Sequence, residues 1–547
     1  MNAPSPAPQA APSPPPPATA SMSRTRALAY MLAATMLAMT QQVGANLITT
    51  NVYQIQGELG ATVAETNWLI AAYMAPNVSL SIALIKIRMQ YGLRNFAEIS
   101  IAGFVIAALL NFFVHDLQSA LVVRFMSGIA AAPLSSLAFL YMIEPLQPRQ
   151  KLTVGLSLAL TNTTLGIPVT RLLSPSLLEI GGFHGLTLFE MGLALVAFGL
   201  VYALPLTTPP RVKVIGPLDG VSYLLIALGF GAIAVALSLG RIYWWLEAPW
   251  LGWLFAGALL CLTLAAVIEL HRQSPLIDIR WLTSPATLHY ATVLLLFRIV
   301  LAEQTVGASN FFQALGFQNE QTLPLYGVIL AAILAGGFTC AALLRPGREN
   351  AFYAAALICI MAGAILDSSA TSLTRPDDIH LSQALVAYGS ALFLPAAMGQ
   401  GLAPALARGP VYILSFFVIF LFTQSIGGLL GSALFGSFIT LRTSFHYSQL
   451  AEHFSLANPL VAERLQQLGG SYGHILTDLG LTRAEGVTLL AQQATREATV
   501  LAYNDAFLLI AMIAGSALIG LLTHLAVLRL RERFAAPAAL PAPTPQP

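Results

Sequence analysis

Residues 294–306 read LLLFRIVLAEQTV, which places Arg298 and Glu303 in a run of side chains that is otherwise hydrocarbon. On translocon-type scales a charge at the centre of a bilayer costs about 2.5–3.5 kcal/mol, so both side chains must avoid lipid. Each therefore needs a partner on another helix, a bound substrate or water. The stretch predicts a bundle of membrane helices that encloses polar groups.

The composition of the whole chain indicates the same class of protein. Of its 547 residues, 56% are hydrophobic and 9% are charged, whereas a soluble domain has roughly 25% charged residues. The net charge of +2 and the scattered basic residues argue against a nucleic-acid partner. We therefore expect a membrane protein whose surface meets the lipid bilayer.

The sequence lacks the motifs of the common enzyme and cofactor classes. It has no Gly-Lys-Ser/Thr phosphate loop, no His/Glu metal motif and no serine elbow between a strand and a helix. Cys261, Cys340 and Cys359 lie inside hydrophobic runs, without metal-ligand or disulfide spacing. We predict that the chain is not an enzyme and binds no cofactor or metal, and ATP-driven transport by this chain is disfavoured.

Hydrophobic runs long enough to cross a bilayer recur along the chain. A bilayer core of about 30 Å needs about 20 apolar residues in helical form. Fourteen such runs are separated by polar residues or by Gly and Pro, and they begin near Ala27, Val63, Asn95, Leu117, Leu152, Phe183, Leu218, Trp250, Leu288, Leu323, Ala351, Leu381, Val411 and Val500. The sequence therefore predicts an all-α membrane protein with fourteen transmembrane helices.

The basic residues give the expected orientation, because Lys and Arg are retained on the cytoplasmic side. Seventeen of them flank alternate runs or follow the last one, whereas the intervening short loops contain only Arg241 and Arg375. This pattern fits an even number of spans with both termini cytoplasmic. The Pro/Ala-rich ends at residues 1–23 and 534–547 are predicted to be disordered, and residues 442–499 to form a helical cap on the outer face.

Polar residues form stripes on three of the predicted helices. Residues recurring at helical spacing share one face, and the candidate substrate-cavity residues on these stripes are Gln42, Asn46, Thr49, Tyr53, Tyr73, Asn77, Thr164 and Arg171. Such a stripe must face a neighbouring helix or water, since lipid cannot satisfy its hydrogen bonds. Ordinary interhelical hydrogen bonding, worth about 0.6 kcal/mol each, is one interpretation. Three stripes in one half of the chain favour the other interpretation, which is a water-filled cavity.

The charged residues of the spans differ in depth. Arg124, Arg171 and Glu190 fall in the outer half of the first six helices, and Arg298 and Glu303 lie near mid-depth. Five residues of α-helix correspond to about 7.5 Å of rise and roughly 140° of rotation, so the last two do not share a face. They are expected to form either a buried structural pair bridged through a neighbouring span or a coupling or binding site.

Short motifs in four places carry a family resemblance. They are NWLIAAY at the start of the second span, Arg124, Gly128 and Pro133 within RFMSGIAAAP of the fourth, SPLIDIRWL before the ninth, and the outer loop from RTSFHYSQLAEH to QQATREATVLAYNDAF. In this order they resemble the fourteen-span drug:proton antiporter (multidrug efflux) branch of the major facilitator superfamily. The resemblance implies two six-helix bundles around a central cavity and alternating access by rocking of the two halves.

The domain boundaries follow from this resemblance. An N-terminal bundle is expected at residues 24–208, an inserted helix pair with its linker at 209–282, and a C-terminal bundle at 283–533 that includes the outer cap. The inserted pair corresponds to the seventh and eighth predicted helices.

Departures from the family pattern concern the mechanism more than the fold. Gly44 stands where the family carries an intramembrane Asp in the first span. Ile85 and Met89 replace a Gly and an Asp of the loop after the second span, and Thr170 with Arg171 replaces the Gly-Pro motif of the fifth. Proton antiport is therefore not carried over directly from the resemblance.

Proton coupling needs a carboxyl whose proton affinity changes with conformation. Glu303 is expected to be the only carboxyl at the right depth, with Arg298, Arg124 or Arg171 as its counter-charge. The proton-coupling candidates are Glu303, Arg298, Arg124 and Glu190. The slight excess of intramembrane arginines hints at an amphipathic substrate with an acidic group.

The predicted function is secondary export of small amphipathic compounds, such as drugs or toxic metabolites, across a bacterial inner membrane, coupled to protons. The open alternatives are a proton-independent facilitator and a non-transporting receptor or scaffold with the same fold. The expected partners are the small-molecule substrate, the proton, the lipid bilayer and a periplasmic adaptor protein that docks near the outer cap.

Overall fold

The computed structural model describes residues 22–534, apart from 148–149, 208–210, 212, 273–274, 409, 456 and 472–477. The predicted tails at 1–23 and 534–547 thus fall almost entirely outside the described residues. Within these residues the chain forms helices and no strand. The all-α prediction is therefore confirmed for the part of the chain that is described.

Eighteen α-helices follow one another in the described ranges. They are α1 (Arg24–Thr50), α2 (Val52–Leu59), α3 (Val63–Tyr91), α4 (Leu93–Leu110), α5 (Leu117–Ile143), α6 (Leu156–Thr164), α7 (Gly166–Ala203), α8 (Pro217–Leu239), α9 (Pro249–Leu270), α10 (Ile279–Leu282), α11 (Pro285–Val300), α12 (Ala308–Ala314), α13 (Leu323–Leu343), α14 (Glu349–Asp367), α15 (His380–Arg408), α16 (Pro410–Glu452), α17 (Pro459–Gly470) and α18 (Leu479–Phe534). Short 3-10 turns at Asn111–Phe113, Asn319–Thr322 and Pro376–Ile379 and π-helical turns at Lys151–Gly155 and Glu303–Gly307 lie between them.

Ten helices among the described residues are long and apolar enough to cross a membrane. One of them, Thr153–Ala203, contains two of the predicted spans, which meet at Gly181 and Gly182, where the backbone leaves helical geometry. The predicted spans that begin near Ala27, Val63 and Leu288 fall on helices outside these ten. The chain is thus a multi-pass membrane protein.

Local sequence signals explain where several helices begin. Thr62 and Glu65 form a reciprocal capping box at the start of α3, which satisfies backbone N–H groups that the first turn leaves unpaired. Asp116 caps α5 in the same way, and the hydrogen bond from the Ser119 hydroxyl holds the pKa of its carboxyl below the usual value. Both signals precede an apolar run, so they mark the entry of the chain into a span.

The ninth predicted span is not a single α-helix. It consists of α11, the π-helical turn Glu303–Gly307 and the seven-residue helix α12. A π-helical turn inserts one extra residue per turn, which changes the direction of the side chains that follow. The faces of this span therefore cannot be assigned from α-helical spacing alone.

The seventh and eighth predicted helices pack on the second through buried ion pairs. Asp219 Oδ1 of α8 lies 2.8 Å from Lys86 Nζ of α3 and 2.6 Å from Arg272 Nη2. Arg272 Nη1 in turn lies 2.9 Å from Glu269 Oε1 of α9. These contacts connect both helices of the predicted inserted pair, α8 and α9, to α3.

The segment at residues 442–499, which is predicted to form an outer cap, is continuous with the spans. Helix α16 runs without a break to Glu452, and α18 is one helix of 56 residues that begins at Leu479. Between them α17 packs on α18, where a Cβ on Gly469 would lie 2.6 Å from the Thr482 carbonyl oxygen. The predicted cap boundaries thus fall inside continuous helices.

Candidate functional site

Glu303 lies against a second buried carboxyl. Its side chain is 0% exposed, and Asp367 at the end of α14 is 2% exposed. Gln383 Nε2 of α15 donates to both, at 2.6 Å to Glu303 Oε1 and at 2.7 Å to Asp367 Oδ2. The Ser382 hydroxyl also donates to Asp367. We call Glu303 and Asp367 the carboxyl pair, and the expectation that Glu303 is the only carboxyl at this depth is wrong.

Arg298 does not supply the counter-charge of Glu303. It packs in a groove along three glycines of α16. A Cβ on Gly427 would lie 3.0 Å from Arg298 Cβ, and a Cβ on Gly428 would lie 2.7 Å from Arg298 Nη2. A Cβ on Gly431 would lie 2.9 Å from the Arg298 carbonyl oxygen. Among the residues that the structure describes it forms no ion pair. Arg298 and Glu303 therefore contact different groups and do not pair with each other.

Three other predicted residues come together around the bare α-carbon of Gly44. Arg124 Nη2 of α5 donates to the Gly44 carbonyl oxygen at 2.8 Å, and its guanidinium lies 4.5 Å from the ring centroid of Tyr73. A Cβ on Gly44 would lie only 2.6 Å from Glu190 Oε1 of α7. We call Gly44, Tyr73, Arg124 and Glu190 the Gly44 cluster.

The Gly44 cluster concentrates polar atoms that the protein leaves without hydrogen bonds. Tyr73 Oη, Arg124 Nε and Nη1, and both carboxyl oxygens of Glu190 are buried and find no partner among the described residues. A buried polar group left unpaired costs about 1–3 kcal/mol, so several at one place call for an explanation. The Gly44 cluster is therefore a buried polar site whose hydrogen-bonding capacity the described protein atoms do not satisfy.

Arg171 belongs to a polar connection between the two predicted bundles. Its Nη1 donates at 2.6 Å to Asn319 Oδ1, in the turn before α13. Asn319 Nδ2 lies 3.3 Å from both the Thr50 carbonyl oxygen and Asn51 Oδ1. Asn51 Nδ2 donates to Ser174 Oγ at 2.9 Å. We call Arg171, Asn319, Asn51 and Ser174 the Arg171 bridge.

The remaining substrate-cavity candidates do not gather at one place. Asn46 Nδ2 donates to the Gln42 carbonyl oxygen at 2.8 Å, Thr164 Oγ1 to that of Thr161 at 2.8 Å, and Asn77 Nδ2 to that of Gly128 at 3.3 Å. These are ordinary bonds within one helix or between neighbours. Thr49 near the end of α1 and Tyr53 near the start of α2 are exposed and lie outside the bridge.

Two grooves in the described part of the chain lie away from these side chains. One, of about 550 Å³, runs along the N-terminal part of α18 beside Thr488, Gln492 and Arg496. The other, of about 510 Å³, is mostly apolar and lies between α3, α4 and α5. Neither is lined by a predicted substrate-cavity residue, and the carboxyl pair is sealed from both.

The sequence analysis missed Asp367, Gln383, Asn51 and Asn319. None of the four was among the predicted site residues. A signal existed, since a buried charge requires donors or acceptors from other spans. The sequence does not show which span supplies them.

Comparison with known proteins finds relatives that are similar over most of the chain. No family model matches it. It is 22% identical over 501 residues to the multidrug export protein EmrB of Haemophilus influenzae, covering 88% of this chain and 92% of that protein. The EmrB protein of Escherichia coli is 23% identical over 509 residues, with the same coverage. The fatty acid resistance protein FarB of Neisseria gonorrhoeae is 27% identical over 261 residues, 46% of this chain and 50% of that protein.

Solved structures show the same fold. The human organic anion transporter MFSD10 (TETRAN) aligns with a TM-score of 0.54 at 12% identity, covering 89% of this chain and 99% of that one. Tetrameric PepTSo2 aligns with a TM-score of 0.53 at 14% identity, covering 92% and 99%. The relatives are export and resistance proteins, which supports a role in membrane transport. The chain is thus similar in sequence to multidrug export proteins over most of its length, and it shares the fold of the two solved structures.

Proposed function

We propose that the protein is a secondary active transporter that exports small amphipathic organic compounds by alternating access, coupled to proton influx. Similarity to a multidrug export protein over 88% of the chain supports the export role. The proposal keeps the fourteen transmembrane helices, the inserted pair at residues 209–282 and the cytoplasmic termini that the sequence predicts. The carboxyl pair carries it, because it offers a proton-binding group inside the membrane.

The geometry of the carboxyl pair suits proton binding. One amide nitrogen, Gln383 Nε2, serves both Glu303 and Asp367, and Glu303 Oε2 finds no partner among the described protein atoms. Two carboxylates this close in a dry interior repel each other, and one bound proton removes the repulsion. A movement that separates the two groups or admits water lowers the repulsion, so proton binding becomes linked to conformation.

The position of Glu303 in the chain supports such a movement. Glu303 is the first residue of the π-helical turn that separates α11 from α12. Turns of this kind inside helices occur frequently at functional sites. The ninth span can therefore bend at the residue that binds the proton.

The Gly44 cluster is the second place proposed to take part in coupling. The family resemblance expects an acidic side chain from the first helix at this level, and Gly44 provides none. Glu190 Oε1 occupies the space beside the Gly44 α-carbon, and the guanidinium of Arg124 lies close by on the same carbonyl group. We infer that the sixth predicted span supplies the carboxyl that the first one lost.

The proposed substrates are amphipathic compounds with an acidic group. The support is a relative over 46% of the chain, which is a fatty acid resistance protein. Thr49 and Tyr53 remain substrate-facing candidates. A periplasmic adaptor protein is proposed to contact the outer segment at residues 442–499.

Transport by the purified full-length protein in liposomes tests this function. Uptake of 2-naphthoate, 2-naphthamide and ethidium is compared with and without an imposed pH gradient. Glu303→Gln and Asp367→Asn are each expected to abolish the stimulation by the gradient while membrane insertion is retained. Glu247→Gln, a change at an exposed carboxyl in the loop after α8, serves as the control.

The outcomes separate the alternatives. Gradient-driven uptake that both carboxyl variants retain would rule out coupling through the carboxyl pair. Uptake by the wild-type protein that ignores the gradient indicates a facilitator. No uptake of any probe, together with normal insertion, indicates a non-transporting receptor or scaffold.

A further inference from the structure

Arg171 is a buried cation without an anionic partner. Its side chain lies on α7, and the residue is 5% exposed. Within the described ranges no carboxylate lies in ion-pair distance of it, and Glu320, next to its neighbour Asn319, is exposed. Removing an uncompensated charge from water is costly, so such a group attracts a negative ligand.

The surroundings of Arg171 leave one edge of the guanidinium available. Nη1 donates to Asn319 Oδ1 at 2.6 Å, and Nε is buried without a hydrogen-bond partner. The guanidinium carbon lies 5.6 Å from the ring centroid of Tyr326, whose hydroxyl is 2.6 Å from Ser309 Oγ. An arginine held on an aromatic face by one neutral amide keeps its planar fork free for a two-point contact with a carboxylate.

We propose that Arg171 binds the carboxylate of an amphipathic organic acid through its guanidinium, where the carboxylate replaces the Asn319 amide oxygen on Nη1, with the apolar part of the acid beside Tyr326. This inference rests on the proposed transport function and names the charge of the substrate. Asn319 Oδ1 is the neutral acceptor whose place on the guanidinium the carboxylate takes. A cationic compound is repelled by Arg171, and a neutral amide accepts a hydrogen bond from the guanidinium without the attraction between two opposite charges.

The same residue lies at the junction of the two predicted bundles, which gives binding a conformational consequence. Arg171 and Ser174 belong to α7, Asn51 follows α1, and Asn319 and Tyr326 belong to the segment that enters α13. A carboxylate that takes over the guanidinium competes with the bond to Asn319. Substrate binding therefore loosens the Arg171 bridge and favours separation of the bundles at this end.

Equilibrium binding to the full-length protein in lipid nanodiscs tests the inference without any transport step. The probes are 2-naphthoate, 2-naphthamide and 2-naphthylmethylammonium, which share the ring system and differ in charge. Wild-type protein is expected to bind the carboxylate at least about tenfold more tightly than the amide, because charge-assisted hydrogen bonds are the stronger ones. Arg171→Gln is expected to remove this preference, and Arg171→Lys to reduce it.

A second variant distinguishes a ligand role from a structural one. Asn319→Ala removes the competing acceptor, so carboxylate binding is expected to stay equal or become tighter, whereas a purely structural bridge predicts loss of binding. Arg280→Gln, at an exposed arginine, is the matched control. Equal affinity of the wild-type protein for the three probes, or a carboxylate preference that Arg171→Gln keeps, overturns the inference.

The binding result is independent of the proton-coupling test. Carboxylate-selective binding that coexists with gradient-independent uptake refutes the proposed coupling and leaves the Arg171 site standing. Gradient-driven transport of only the neutral and cationic probes supports the proposed coupling and refutes the Arg171 site. If Arg171→Gln fails to fold, the probe ratios of the wild-type and Arg171→Lys proteins still decide the question.

Discussion

Gly337 offers a direct test of alternating access, because it lies where α6 and α13, one from each predicted bundle, are in close contact. A Cβ built on Gly337 would lie 2.2 Å from Thr161 Oγ1, 2.6 Å from Cγ2 and 2.9 Å from Cβ. Ordinary contacts of a Cβ are 3.4–4 Å. We predict that Gly337→Ala prevents this approach and disfavours the conformation described above.

The size of the effect follows from the contacts. Thr161 cannot turn away, because its hydroxyl donates to the Ser157 carbonyl oxygen at 2.7 Å and its Cβ is fixed to the helix. Overpacking of this kind costs about 1–3 kcal/mol. At 1.4 kcal/mol for each factor of ten, the population of this conformation falls by about 5- to 150-fold relative to conformations with the helices apart.

Thiol labelling measures that population. Ser157→Cys, in a protein without Cys261, Cys340 and Cys359, places a thiol on the same face of α6 as Thr161, one turn away, at a position that is 0% exposed. The labelling rate by N-ethylmaleimide is expected to rise by the factor above when Gly337→Ala is added, and transport is expected to fall.

A neighbouring glycine is the control. Gly327 lies on the same helix, and a Cβ there meets nothing within 4 Å, so Gly327→Ala is expected to leave labelling and transport unchanged. Thr161→Ala removes the two nearest atoms. In the Gly337→Ala protein it is expected to restore part of the transport and to lower the labelling rate again. An unchanged labelling rate with full transport in Gly337→Ala would refute the reasoning.

Two further predictions concern buried charges. Gly44→Ala displaces the Glu190 carboxyl and is expected to lower gradient-driven transport several-fold in the liposome assay. Gly103→Ala, where a Cβ meets nothing within 4 Å, is the control and is expected to leave transport unchanged. Equal transport by the two variants would show that Glu190 is not held beside Gly44. Asp219→Asn leaves the buried cations of its network without their shared carboxylate and is expected to cost about 3–5 kcal/mol of stability in urea unfolding. The exposed pair that Arg94 forms is the contrast, since its loss costs less than about 1 kcal/mol, and similar losses for both changes would contradict the argument.

Apolar runs predict the helices of this protein well, because the bilayer imposes a length of about 20 residues on any spanning helix. Each predicted start, from Ala27 to Val500, falls on or next to a helical segment. The break between α11 and α12 was not predicted, since LAEQTV has the composition of an uninterrupted span and lacks Pro or Gly before Gly307. Turn type at such a place depends on tertiary contacts.

The candidate site was predictable in its residue types and not in its pairings. The predicted depth in the membrane singled out Glu303, Arg124 and Glu190, because a charged side chain at that depth must be enclosed by protein or water. The partner of Glu303 is 64 residues away in Asp367, and helical periodicity carries no information about contacts at that distance. Arg171 was assigned to a cavity wall, and its bond to Asn319 across the predicted bundles appears only in three dimensions.

The two proposals meet in one stretch of chain, from Glu303 to Asn319. It contains the π-helical turn, the seven residues of α12 and the turn that presents Asn319 to Arg171. The carboxyl pair lies within the predicted C-terminal bundle, so its protonation alone moves nothing between the bundles. A bend at Glu303 shifts α12 and with it Asn319, which is bonded to the other bundle. Protonation at one end and carboxylate binding at the other then bias the same bridge, and reciprocity requires each to change the affinity for the other.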